Sequence, residues 1–92
     1  MDREKRMARI RPKMERGIVQ VKYQSRLIGL HSGRALCMGC DEPITQPMCV
    51  GYSSVAGVHH WFHLGCDAVR RTIAAQLLRE KVHRWINRRT LR

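Results

Sequence analysis

Acid is scarce in this chain: seven Asp and Glu stand against 18 Lys and Arg in 92 residues, a formal charge of +11. A surface so one-sided attracts polyanions, which bears on partners and leaves the fold open. A second absence is local, because residues 35–69 hold no Lys or Arg and three acids. The flanks carry the excess: ten basic residues against three acids in 1–34, and eight against one in 70–92. Two basic arms of +7 each therefore bracket an acidic centre of −3.

Long apolar runs are also missing. No window has the length needed to span a bilayer, and the opening MDREKRMARIRPKMERG lacks the apolar stretch of a secretory leader. The expectation is an intracellular protein in a reducing compartment: the nucleus in a eukaryote, the cytoplasm or nucleoid in a bacterium or phage. In such a compartment a tight cysteine pair is more often a metal or redox element than a structural bridge. There is no nucleophile with a base at useful spacing and no phosphate-cradling glycine loop, so no enzyme is expected. No internal repeat is present.

From Asp67 to Arg92 there is neither Gly nor Pro, while Ala, Leu, Arg and Gln are plentiful, which predicts one long basic helix over 67–89. Cys66, Val69, Ile73 and Leu77 form one apolar stripe on it. Ala74, Leu78, Val82 and Trp85 form a second, displaced around the axis. The first is expected to pack on the cysteine centre. For the second, an intramolecular contact is favoured, with a protein partner or a homodimer as the other ways to cover it. A membrane-surface role is disfavoured, because polar and apolar residues are poorly segregated.

Residues 1–17 read as a basic arm, a disordered solvated tail as readily as an ordered element. Any helix in 3–10 is expected to stop before Pro12, which lacks an N–H and pushes Arg11 out of helical dihedrals. Val19, Val21 and Tyr23 alternate with Gln20 and Lys22, predicting a strand over 18–23. Residues 18–92 are then a single domain whose centre reads knuckle, strand, turn, strand.

Four cysteines can supply the staple that a chain this small needs. Cys37-x2-Cys40 and His63-x2-Cys66 make two ligand pairs separated by 22 residues, a spacing suited to one tetrahedral zinc held between a turn and a helix start. With four protein ligands such a zinc is structural, since no coordination position is left for a substrate. A thioredoxin-like role for Cys37 and Cys40 is opposed by the Asp41-Glu42-Pro43 that follows. Cys49, between Met48 and Val50, reads as a small buried hydrophobe, its replacement of His63 as ligand being the lesser alternative. His31, His59, His60 and His83 are read as non-ligands. Zinc with three thiolates carries a net charge of about −1, so any grip on an anion must come from the arms and from any arginine the fold brings against the finger.

Ser32-Gly33-Arg34-Ala35, Cys37-x2-Cys40, Ile44 and His60-Trp61-Phe62-His63-x2-Cys66 together resemble the zinc finger of poly(ADP-ribose) polymerases and of a related DNA ligase. The likeness covers about residues 31–69, and Cys49 resembles the ligase version. It implies a finger that meets DNA breaks and ends by shape and backbone contact, with Arg34 on a phosphate, where a guanidinium fork grips without reading sequence. The chain departs from the family in a shorter gap between ligand pairs, in Gly29 where an aromatic is usual, and in having no basic residues between the pairs. Tyr52, with Val55 and Val58, is the surface left to stack on a base. The expectation is a small α+β, zinc-stapled, treble-clef-like finger with short antiparallel strands and one long C-terminal helix. It binds DNA through Arg34, Arg70, Arg71, Lys22, Arg26 and Tyr52. The rival expectation is a protein-interaction module working through the second helix stripe.

Overall fold

A computed structural model describes residues 2–23, 25–30, 35–46, 48–53 and 59–90. In order along the chain it contains α1 (Arg3–Glu15), β1 (Ser25–Leu30), β2 (Met48–Ser53), β3 (His59–Phe62) and α2 (Leu64–Thr90). The three strands form one antiparallel sheet in the order β1-β2-β3. Val50 lies opposite Ile28 on one side and Phe62 on the other. The small α+β class and the long C-terminal helix expected from the sequence are both present. The helix begins three residues earlier than its spacing suggested, so that Cys66 lies in its first turn.

The N-terminal arm is ordered, and its helix runs through Pro12. Asp2 caps it, its Oδ1 accepting from the backbone N–H of Lys5 at 2.8 Å. Three turns later the helix is closed by Gly17, whose φ of +77° is a conformation open to glycine at little cost. There Gly17 donates to the carbonyl of Met14 at 3.1 Å and Ile18 to that of Lys13 at 2.9 Å. Pro12 removes one donor, but burial outweighs that loss: Ile10 is 0% and Met14 4% exposed.

Residues 18–23 are bends rather than the expected strand. The Ile18 and Val19 N–H groups turn back to the Lys13 carbonyl, and beyond them side chains replace a ladder: Arg70 Nη1 donates to the carbonyls of Gln20 and Val21 at 3.4 and 3.1 Å, and the Gln20 N–H donates to Tyr23 Oη at 3.1 Å. Val19 is buried while Ile18 and Val21 stay near the surface. The alternation in the sequence is therefore that of an anchored loop. The first strand comes later, at Ser25–Leu30.

Ile10, Met14, Val19, Ile44, Val50, Phe62, Val69 and Ile73 surround the cysteines in one core. The helix α2 lies on it with the stripe Cys66, Val69, Ile73 and Leu77, as its periodicity predicts. α1 runs parallel alongside: Arg6 packs on Gly65, and further along Arg11 reaches Gln76 and Glu80 at 3.2 and 3.0 Å. The favoured intramolecular cover for the second stripe extends only to Ala74. Leu78, Val82 and Trp85 are 60%, 48% and 56% exposed, because α1 occupies a different side of α2 and the sheet meets only its first turns.

Two outcomes test this packing. Ile10→Ala should lower the unfolding free energy by about 2–5 kcal/mol, measured by urea denaturation. An arm that contributed nothing to the core would show no loss. The second concerns His60, whose Nδ1 is 2.8 Å from Tyr23 Oη. That hydroxyl also accepts from the Gln20 N–H, and which of the two groups donates between it and His60 depends on the imidazole tautomer. Burial holds the imidazole pKa below its ordinary value. Protonation therefore favours the unfolded chain: the contribution is complete above the unfolded pKa of about 6.5 and fades as pH falls through the lower folded value. The stability gap between wild type and His60→Gln should accordingly shrink between pH 7.5 and 5.5, whereas ligand protonation, common to both proteins, cancels in the difference.

Candidate metal centre

The knuckle is a tight reversal between Ala35 and Ile44. Leu36 pairs with Pro43 in an isolated bridge, Cys37 donates its N–H to the carbonyl of Glu42, and Asp41 donates back to that of Cys37, both at 2.9 Å. Asp41 makes the turn with φ +66°, a left-handed conformation that a short polar side chain tolerates better than most. Met38 donates to the carbonyl of Trp61 at 2.8 Å, which fastens the knuckle to β3 just before His63. The helix α2 then starts at Leu64 and delivers Cys66 in its first turn.

Cys37, Cys40, His63 and Cys66 are thereby gathered, their ligand atoms all within 4.8 Å of one another. The three cysteines are buried at 1%, 2% and 0% exposure. His63 Nδ1 lies 3.4 Å from Cys40 Sγ and 3.8 Å from Cys66 Sγ. Its other nitrogen, Nε2, is 3.1 Å from the carbonyl of Pro43. A carbonyl can only accept, so Nε2 carries the hydrogen and the Nδ1 lone pair is aimed at the sulfurs. That is the tautomer a metal ligand requires, fixed by its neighbour. Both separations from His63 Nδ1 suit a four-coordinate ion, for which bonds of about 2.0–2.3 Å put ligand atoms roughly 3.3–3.8 Å apart. These four residues could hold a metal ion.

The electrostatics point the same way. The Cys66 thiol donates to Cys37 and draws the Cys37 pKa down to about 4; burial opposes this, and the N–H groups of Cys40, His63 and Gly39 assist it. The same shared proton holds Cys66 far above the thiol range, with burial adding to it. Burial also raises Cys40. Without a cation the site holds one thiolate comfortably and resists the next, so binding a metal ion must release thiol protons.

The outer support of this centre is the main feature that sequence reasoning missed. Arg9 Nη1 donates to the carbonyl of Cys40 at 2.8 Å and meets Glu42 at 3.2 Å. Lys13 Nζ donates to the carbonyl of Met38 at 2.9 Å and pairs with Asp41 at 2.6 Å. Between them Ile10 presses on Gly39, where an added Cβ would stand 3.1 Å from its Cδ1. The 9, 10, 13, 14 spacing was the available signal, since it places two cations and two apolar residues on one helix side.

Of the residues expected on DNA, two are committed elsewhere, and this corrects the reading. Tyr52 is 4% exposed, its ring stacked on Tyr23 at 4.7 Å between centroids and its hydroxyl donating to Asp67 at 2.5 Å, so it offers no base a platform. Arg70 is 5% exposed and is consumed by Asp67, Tyr52 and the carbonyls of the 18–23 loop, with its guanidinium 4.7 Å above the Tyr52 ring. Arg71 is half-exposed and contacts Asp67 at 3.4 Å. Lys22 is exposed. Arg26 lies opposite Tyr52 in the β1–β2 register. Arg34, His31, Val55 and Val58 lie outside the described residues.

Cys49 is fully buried opposite Gly29 in the sheet and is not part of the cluster; burial raises its thiol pKa. Cys66→Ala should therefore abolish metal binding, and Cys49→Ala should keep one ion per chain, as read by elemental analysis of the purified variants. Loss of metal in the second would reassign the ligand set. No protein-family model matches the chain, and no curated protein or solved structure matches it either, so the functional reading rests on these residues.

Proposed function

We propose that this is a non-enzymatic DNA-binding protein in which a structural zinc holds a treble-clef-like finger and the basic surface grips the phosphate backbone. Three thiolates and an imidazole are the donor set that a borderline-soft, tetrahedral ion prefers, which supports zinc over the hard cations. The observation that carries the DNA reading is the charge of the outer half of α2. Arg79, Lys81, Arg84, Arg88 and Arg89 are exposed there, and the one acid among them, Glu80, is already bridged to Arg11. The resemblance of residues 31–69 to a finger that meets DNA ends adds a preference for nicks, ends or junctions, with Arg34 on a phosphate and Lys22, Arg26 and Arg71 as further contacts.

One observation favours a second reading. Leu78, Val82 and Trp85 stand open on α2, as a helix stripe awaiting a protein partner would.

A titration of intact, nicked and single-stranded DNA at two salt concentrations decides between them. If six phosphates are neutralised, affinity should fall roughly a thousandfold between 50 and 200 mM salt. A flat salt response would remove the DNA reading. Replacing Leu78 with Asp and Trp85 with Ser should leave DNA affinity intact on the first reading and abolish partner capture on the second.

A further inference from the structure

The basic residues of α1 divide into two groups. Arg9, Arg11 and Lys13 each have acceptors within the chain. Arg6 has none among the described residues, although it is only partly exposed and its guanidinium stands over Gly65, where an added Cβ would be 2.7 Å from its Cζ. Any side chain at position 65 would displace it. Five N–H donors held in place without an acceptor have water as their sole partner, or a ligand's oxygens.

Arg6 borders a cleft of about 310 Å³ between the two helices, lined by Arg3, Arg6, Gly65, Ala68, Val69 and Thr72. No carboxylate lines it. Glu42, which lines a second pocket with Arg6, is held by Arg9 at 3.2 Å. The charges lining the cleft are thus two arginines three residues apart on one helix, and its small-residue floor lets an anion come close. Guanidinium forks suit a tetrahedral oxyanion better than any uncharged ligand.

We propose that Arg3 and Arg6, over Gly65, form a phosphate-binding cleft that holds a backbone phosphate of DNA. This rests on the DNA reading above and moves the contact from Arg70, which is internal, to α1. It also gives α1 two functions: Arg9, Ile10 and Lys13 brace the knuckle, and Arg3 and Arg6 face the ligand from the preceding turns.

The test uses the metal-loaded full chain. Binding of a fluorescent duplex is followed across salt for wild type, Arg3→Gln/Arg6→Gln and Arg9→Gln/Lys13→Gln. The first double variant should keep its melting temperature and lose about two from the slope of log affinity against log salt. The second should melt lower and keep the slope. Arg3→Gln alone, at an exposed side chain with no hydrogen bond or ion pair to another described residue, should lose about one, and it serves if the double variant does not fold. In parallel, inorganic phosphate is titrated into isotope-labelled protein, with the Gly65 amide as reporter. A saturable shift absent from Arg6→Gln is the expected result. If wild type binds DNA and the slope is unchanged in the variants, the cleft is overturned. If wild type binds no DNA, phosphate decides: a Gly65 shift lost in Arg6→Gln keeps the cleft and removes the DNA reading, and no shift removes both.

Discussion

Three thiols and an imidazole must be brought together out of water, and the rest of the structure is arranged around that demand. Thiolates repel one another, and each buried one loses hydration, so the cluster depends on a backbone that holds the four residues together. Fixation comes from both sides. β3 holds the knuckle through the Met38 N–H and leads directly into His63, and α2 brings Cys66 in from below. On the outer side α1 ties down the carbonyls of Met38 and Cys40 with Lys13 and Arg9. The same two cations pair with the knuckle's own acids, Glu42 and Asp41, which links the basic arm to the acidic centre it flanks.

The same economy governs the second buried charge. Asp67 and Arg70, one turn apart on α2, are 1% and 5% exposed and satisfy each other together with Tyr52. A buried pair of this kind adds little net stability by itself. Here it does something more specific: the donors of Arg70 left over from Asp67 reach across to the carbonyls of Gln20 and Val21, and so attach the connection between α1 and β1 to the helix. The loop that leaves α1 is thus held by α2, and α1 stays in register beside it.

The parts of this fold that could be read from sequence are those encoded locally. The ligand set is legible because each pair is three residues apart, and α2 because 26 residues lack any helix breaker. The failures share one cause. Pro12 is a correct local signal for a stop, but Ile10 and Met14 find a core on the other side of the knuckle, and the chain continues to the glycine that can close it. Val19, Val21 and Tyr23 have strand periodicity, but the carbonyls of Gln20 and Val21 are met by Arg70, 50 residues away from Gln20. β1 is defined by its ladder with β2, and its sequence Ser-Arg-Leu-Ile-Gly-Leu carries little alternation of its own. Tyr52 and Arg70 looked like ligand-facing residues because an aromatic and an arginine near a finger have that meaning in isolation; their burial is a property of the packed molecule.

The outer half of α2 shows how a surface can be left open without losing its structure. A helix of this length would be marginal alone, because its first turn is the costly one to form. Here the nucleus is supplied by the half that packs on the core, and each further residue of good helix propensity adds a hydrogen bond at small cost. The last contact with α1, at Glu80, therefore does not end the helix, and the segment beyond it carries Trp85 with Arg89 stacked 4.5 Å above its ring. Cations and apolar side chains share that segment, and both kinds are exposed there. A phosphate backbone would use the first and leave the second exposed, whereas a protein groove with carboxylates at its rim would use both. The charge on this helix thus fits either partner, and the apolar stripe beside it is the feature that distinguishes them.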